Sequence, residues 1–395
     1  MKIIIITITF LLIGLSTFSQ NVKSDNTEEN KVELDENGRR VFDDEKERKG
    51  VKYNFVPMPS YDPSAKWGIS LINMFNYYPS EGDLVSPPSS SALFMQMTTN
   101  KSYMLGLNNK LFLAEDKWRI SAGGFYGSIN QNMLLSSNPA DPTIAPSITD
   151  VTANVAIANV MFEHQILSNW YLGVGYMYNG RKVFGQNEEA DALLKANGFS
   201  EDFVHTHGIR YNTSYDTRDN INYPYTGILA SISMDQMMGD ESQNILMADY
   251  RQYFTLRDNV SNVLAVHASG RFVSEDASRN FWSSYGRAGR TVQRGYEQGQ
   301  YMDMNLVNFE IEFRKETPWL NHRLGFVAAI GTGKVFGNDN HESGASISFT
   351  NAEWLHMANV GIRYRLLPYE RLNLKFDYAR GKSGGVFYFG ITEAF

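Results

Sequence analysis

The chain has 395 residues, 43% hydrophobic, 13% aromatic and 20% charged, with a formal net charge of −7. That acidic balance argues against a nucleic-acid partner, which would meet a basic face. The absence of cysteine excludes disulfides, thiolate metal centres, a cysteine nucleophile and a lipidated N-terminal cysteine.

Residues 1–20, "MKIIIITITFLLIGLSTFSQ", place Lys2 before an unbroken apolar run at 3–15, followed by small and polar residues. This is the pattern of a secretory signal peptide, cut near Ser19 or Gln20. The rival reading, an uncleaved anchor, has too short an apolar run for about 30 Å of hydrocarbon. Residues 21–50 are almost wholly polar and rich in both signs of charge. They cannot bury enough surface to offset ordering and are expected to form a flexible periplasmic tether.

From residue 51 the pattern has period two. In "RLNLKFDYAR", 371–380, Leu372, Leu374, Phe376 and Tyr378 share one face, and Arg371, Asn373, Lys375 and Asp377 the other. "VNFEIEFR", 307–314, and "WLHMANVGIRYRL", 354–366, repeat the scheme. These are strands with one apolar and one charged face. A soluble antiparallel sandwich alternates too, with the apolar face inward; a membrane barrel turns that face to lipid and the charge to the lumen.

Three features favour the barrel. The segments run near ten residues or more, where soluble strands average about five or six. Short connections such as "AEDK", "LSN" and "LLPYE" alternate with long ones at 129–150, 183–204, 274–303 and 336–352. The chain also finishes inside a strand-like segment, "GVFYFGITEAF", on Phe395. Strands are expected at 51–59, 66–78, 87–99, 102–113, 117–128, 151–163, 169–182, 205–216, 226–238, 245–256, 260–273, 304–316, 322–335, 353–366, 370–380 and 384–395. That makes about sixteen, an even number as single-chain outer-membrane barrels require. The 22 Tyr and 24 Phe, at a mean hydropathy of −0.34, suit the aromatic girdles of such a wall. The fold expected is all-β: a transmembrane antiparallel barrel over 51–395.

Enzymatic chemistry finds little support. No Gly-x-Ser-x-Gly elbow occurs in the mature chain. "GTGKV", 331–335, lacks the upstream glycine and the Ser/Thr of a phosphate loop. His267 with Ser269 falls in the lumen phase of its strand, where no lipid bond could reach it, and His341 with Ser343 falls in a loop. His205 and His207 share a strand face, but two ligands make no metal site; the interfacial girdle is their expected home. No enzyme activity, cofactor or metal is expected.

Two stretches carry a family resemblance. "YDTRDNINYPYTG", 215–227, and "RGYEQGQY", 294–301, resemble signature motifs of the BamA/TamA-type outer-membrane barrel superfamily, whose barrel is the bacterial surface antigen domain. The first resembles that family's strand end and periplasmic turn, through Asp216, Arg218, Asp219, Pro224 and Gly227. The second resembles its Arg-Gly-Tyr/Phe tip, Arg294, Gly295 and Tyr296, which in the family lies on a long extracellular loop folded into the barrel. A desolvated guanidinium needs a carboxylate. Glu310 and Glu312 point to the lumen by phase, and the resemblance makes Glu312 the partner. The family usually adds an aspartate on the next strand, where this chain has Ala328 and Ala329.

The resemblance implies an integral protein of the Gram-negative outer membrane, its working site the seam between first and last strands. Gly390 would weaken pairing there, and Phe395 would stand as the C-terminal signal. Residues 21–50 are too short for even one POTRA domain. The expected role is therefore protein assembly or translocation, with outer-membrane lipid around the barrel and other outer-membrane or periplasmic proteins supplying the client-binding domains. The alternatives are a passive pore or structural barrel and, further off, a lipid-modifying enzyme.

Overall fold

Alternation fixes the wall. A computed structural model describes residues 43, 46, 48–62, 66–135, 147–257, 259–275, 277, 281–286, 293–296, 301–338, 346–391 and 393–395. The signal peptide, nearly all of the tether, and the His341–Ser343 pair lie outside the described residues.

Sixteen antiparallel strands form one sheet in chain order, each joined to its sequence neighbours. They are β1 (Val51–Asp62), β2 (Lys66–Tyr77), β3 (Ser89–Thr98), β4 (Tyr103–Leu113), β5 (Trp118–Leu135), β6 (Ser147–Leu167), β7 (Trp170–Gly185), β8 (Val204–Asp216), β9 (Gly227–Gly239), β10 (Gln243–Leu256) and β11 (Asn259–Val273). A two-residue ladder, β12 (Ser283–Ser284) with β13 (Met302–Asp303), lies inside the long connection that follows. The wall resumes with β14 (Asn305–Glu316), β15 (Leu324–Phe336), β16 (Leu355–Leu367), β17 (Leu372–Gly381) and β18 (Gly384–Gly390). β18 curls round to approach β1. Among the described residues no ladder joins the two, so the barrel is nearly closed and its seam unsealed.

The inside–outside assignment follows the sequence phase. On β14, Phe309, Ile311 and Phe313 project outward, while Asn308, Glu310, Glu312 and Arg314 are buried in the lumen. Ile311 is 46% exposed and its neighbour Glu312 0%. That is the reverse of a soluble core, and it is what a lipid-facing wall requires. Aromatic pairs mark both ends of the outer wall: Trp170 with Tyr215 at the short-turn rim, and Tyr176 and Tyr178 with His207 and His205 toward the other. Tyr178 and His205 share a hydrogen bond of 2.8 Å.

Two expectations need correction at the long-loop rim. Much of 129–150 is strand, because β5 and β6 pair continuously up to Leu135 opposite Ser147. The 183–204 connection holds a helix, α1 (Glu188–Ala196), capped by the Asn187 side chain accepting from the Ala190 N–H at 2.8 Å. Leu194 and Phe199 pack it down onto Val151, Ala153 and Val183 of the rising strands.

A third correction concerns the last strand. Read as 384–395, it stops at Gly390. Phe387 and Phe389 face outward. Continuing the strand would turn Glu393 to the same side, and a carboxylate facing hydrocarbon is costly. The chain turns inward instead, and Glu393 meets Arg363 at 2.7 Å.

At the short-turn rim, the connection after β2 is organised by Asp83. Its carboxylate accepts from the Val85, Ser86 and Glu115 N–H groups at 3.0, 2.8 and 3.0 Å and from the Ser86 hydroxyl at 2.6 Å. Desolvation is the largest single influence and works against ionisation, but these donors together prevail and hold the group down at about 2. Arg48, just before β1, donates to the Asp83 and Ser86 carbonyls, each at 2.9 Å.

Candidate functional site

The β11–β14 connection carries the site. Within it, residues 293–296 dip into the lumen, and Gly295 makes the turn at φ +88, a left-handed conformation in which a side chain is strained. A Cβ there would also crowd Gly381 and Met357. The Gly295 N–H donates to the Tyr388 hydroxyl of β18 at 3.0 Å. Tyr296 donates its hydroxyl proton to the His356 carbonyl at 2.7 Å and packs edge-on to Tyr285 and Tyr301. The tip thus leans on β14, β16 and β18 together.

Arg294 is 1% exposed. Its guanidinium pairs with Glu310, with Glu312 at 2.6 Å, and lies 3.9 Å from Asp377 on β17. Glu312 is shared with Arg314 at 2.7 Å, and Asp377 with Arg363 at 2.7 Å. Arg363 also holds Glu393. Three arginines therefore interlock with four carboxylates, and Lys375, buried on the same lumen wall, brings the charges level. A low-dielectric interior tolerates ionised groups only in such paired sets.

The expected aspartate after Glu312 is absent where the family pattern puts it. Ala329 sits opposite Glu312 in register and joins the apolar cluster of Tyr285, Tyr296 and Leu355. The additional carboxylate comes from β17 as Asp377, so the anchor does not lean on Glu310 and Glu312 alone.

The β8–β9 connection reaches across the short-turn end of the lumen. Asp216 accepts from Arg218 at 2.8 Å and from Arg119 at 2.9 Å. Asp219 accepts from the Tyr225 and Thr226 N–H groups at 2.9 and 3.1 Å and pairs with Arg371 in the β16–β17 connection. Pro224 is buried between Tyr223 and Tyr225. The Tyr225 hydroxyl donates to Glu316 at 2.6 Å and accepts from Arg365 at 3.0 Å. Gly227 sits at φ +101, and a Cβ there would collide with the Thr217 carbonyl. The turn motif is therefore a strap across the mouth, tied to strands on the far wall.

Loop tip and strap meet at Phe395. Its ring stacks on His267 at 4.8 Å and lies 5.6 Å from the Arg314 guanidinium carbon and 5.9 Å from that of Arg294. Tyr223, Tyr253, Val263 and Ala265 complete its surroundings. Phe395, expected at the seam, is inside; Gly390 is the last residue of the wall. Sequence reasoning missed the roles of Arg314, Arg363, Asp377 and Glu393. The cue was present in the lumen phase, where β14 carries Glu310, Glu312, Arg314 and Glu316, β16 carries Arg363 and Arg365, and β17 carries Lys375 and Asp377. His267 packs on Phe395 and lies 3.7 Å from Asp249. Among the described residues no group of His, Asp and Glu could hold a metal.

A family model described as the Omp85 superfamily domain matches residues 97–395. No curated protein matches. Among solved structures, BamA from Haemophilus ducreyi lacking POTRA domains 1–3 superposes with a TM-score of 0.53 at 14% identity, over 86% of this chain and 68% of that one. CdiB from Acinetobacter baumannii gives 0.53 at 14%, over 86% and 59%. CdiB from Escherichia coli gives 0.54 at 7%, over 89% and 67%. The chain thus spans roughly three-fifths to two-thirds of these proteins, and at such identities the likeness is one of fold.

Proposed function

The chain belongs to the Omp85 superfamily of outer-membrane barrels, and from that premise we propose that it assembles or translocates other polypeptides at its seam. The observation that carries the reading is the unsealed junction of β1 and β18. Two edge strands with unpaired N–H and C=O groups in a membrane are costly unless something pairs with them. In this reading the barrel resides in the outer membrane of a Gram-negative cell. The short-turn rim faces the periplasm, and partner proteins there present the client. The solved BamA likeness supports the barrel part of this proposal and is silent on client handling.

A passive pore is the weaker reading, because the Arg294 tip sits inside the lumen and the Tyr223–Tyr225 strap crosses it to Glu316 and Arg365. Depletion followed by an outer-membrane proteome tests the proposal: loss of a set of other barrels or exported proteins is expected. An unchanged proteome, together with large steady conductance of the purified protein in planar bilayers, would replace it with the pore.

A further inference from the structure

Bulk is unevenly spread over the outer wall. On its lipid-facing phase the ladders bring Ala230 of β9, Ala248 of β10, and Ala268 and Gly270 of β11 into one band. Tyr250 and Phe309 stand beside it, and together they shape an apolar depression of about 490 Å3, the size of a small-ligand site. The band crosses the strands, from Trp170 at the short-turn rim to Val307 at the long-loop rim. Four strand spacings from β8 to β14 make roughly 19 Å. One leaflet of a hydrocarbon core about 30 Å thick is about 15 Å deep, so the band is long enough for one acyl chain. Left empty, it would deprive its lining of contacts.

Cationic groups gather where the band ends. On β15, Lys334 lies opposite Val307, and Thr332 opposite Phe309. Lys334 keeps the outward phase yet is 3% exposed. Its ammonium donates to the Phe349 carbonyl at 2.8 Å and lies 4.5 Å from the ring centres of Phe349 and Trp354. On the next two strands His356 stands opposite Thr332, and Arg380 opposite Ala358. Both side chains are exposed, and among the described residues neither makes a hydrogen bond or ion pair. Lys382, nearby, is by contrast paired with Glu353. Arg380 is the last residue but one of β17. A cation on the lipid face is costly at the bilayer midplane and tolerated near the interface, where the guanidinium fork matches a phosphate.

We propose that the band and these cations form a binding site for one phosphate-headed, acylated lipid of the leaflet at the long-loop rim. The phosphate meets Arg380 and His356, and an acyl chain lies over Ala268, Gly270, Ala248 and Ala230. The two strand spacings from β14 to β16, about 10 Å, are bridged by the lipid's backbone against the exposed rings of Phe349 and Trp354. The inference requires only that this face meet lipid and is independent of the assembly role.

The test uses the full chain in detergent and native mass spectrometry, with heat-modifiable gel mobility reporting folding. The probes are dipalmitoyl phosphatidic acid, dipalmitoylglycerol, which keeps the chains and lacks the phosphate, and glycerol phosphate, which keeps the phosphate and lacks the chains. The unaltered barrel is expected to retain one phosphatidic acid and to bind either of the others at least about tenfold less. Arg380→Gln is expected to lower phosphatidic acid binding about tenfold and to leave dipalmitoylglycerol unchanged. Ala248→Leu combined with Ala268→Leu fills the band and is expected to lower binding of both lipids about tenfold.

Equal retention of phosphatidic acid and dipalmitoylglycerol overturns the proposal, as does binding that neither variant alters, the mark of lipid spread round the whole wall. Glycerol phosphate bound as tightly as the lipid removes the acyl chain from the site and overturns it too. If filling the band abolishes a dimer and leaves lipid binding intact, the occupant is a second copy of this chain and the proposal fails. Should the filled variant not fold, phosphatidic acid with a diazirine in its chain is crosslinked to the unaltered barrel. Adducts concentrated on β9, β10 and β11 support the site, and adducts spread evenly over the strands overturn it.

Discussion

Arg294 is held by Glu310 and Glu312 in a place that water scarcely reaches. Arg294→Ala leaves those carboxylates without their shared cation, a loss of about 3–5 kcal/mol for a buried pair. Limited proteolysis of the β11–β14 connection in intact cells is expected to rise sharply, and unchanged cleavage would refute the anchoring role. Arg294→Lys should behave much like the alanine variant, because one ammonium cannot reproduce a fork that reaches two carboxylates and Asp377 together. At the other mouth, Gly227→Val forces a branched side chain into φ +101 against the Thr217 carbonyl. Backbone strain of this kind costs on the order of 1–3 kcal/mol, and heat-modifiable gel mobility should shift to lower temperature accordingly. Of these residues, Arg294, Gly295, Tyr296, Glu312 and Gly227 were legible as motif letters. Asp377 and Arg363 were not, since nothing in a single sequence says which of many lumen charges will face one another across the barrel.

Single elements show where period two stops being informative. Phe387 and Phe389 continue the outward phase so well that 384–395 reads as one strand, yet the wall ends at Gly390. The decisive fact is Glu393, whose carboxylate would fall on the lipid side and instead reaches Arg363; an acid in that phase was the legible warning. The β2–β3 connection illustrates a local rule that holds without distant partners. Asp83 sits at about 2, below its ordinary 3.8, because backbone and hydroxyl donors favour the charged form. A depressed carboxylate stabilises above its unfolded value and loses that contribution as pH falls through its folded value. The loop should therefore be fully ordered above about pH 4 and loosen toward pH 2. Pepsin cleavage beside the exposed Leu84 and Val85 is expected to increase across that window. Asp83→Asn should be cleaved readily throughout and show little further rise; an identical pH profile in that variant would exclude Asp83 as the cause.

The barrel itself was legible because its solvent is inverted. Sixteen segments with alternating apolar and charged faces cannot be satisfied by a helix bundle, and strands of this length with unequal connections fit a wall better than a sandwich. What the pattern could not convey is closure, since a ladder between first and last strands depends on matching lengths and registers far apart in the chain. β1 has 12 residues and β18 has 7, and no ladder joins them among the described residues. Interior strands such as β6 and β7 exchange hydrogen bonds with neighbours on both sides, whereas β1 and β18 do so on one. Opening there requires breaking fewer contacts, so the seam belongs to the low-stability end of the molecule. Amide exchange measured by mass spectrometry in nanodiscs should run on the order of tenfold or more faster over 51–62 and 384–390 than over 151–163 and 170–182. Protection at the seam equal to that of β6 and β7 would mean that the two edges are sealed in the membrane, and the site at which this barrel is proposed to receive other chains would be closed.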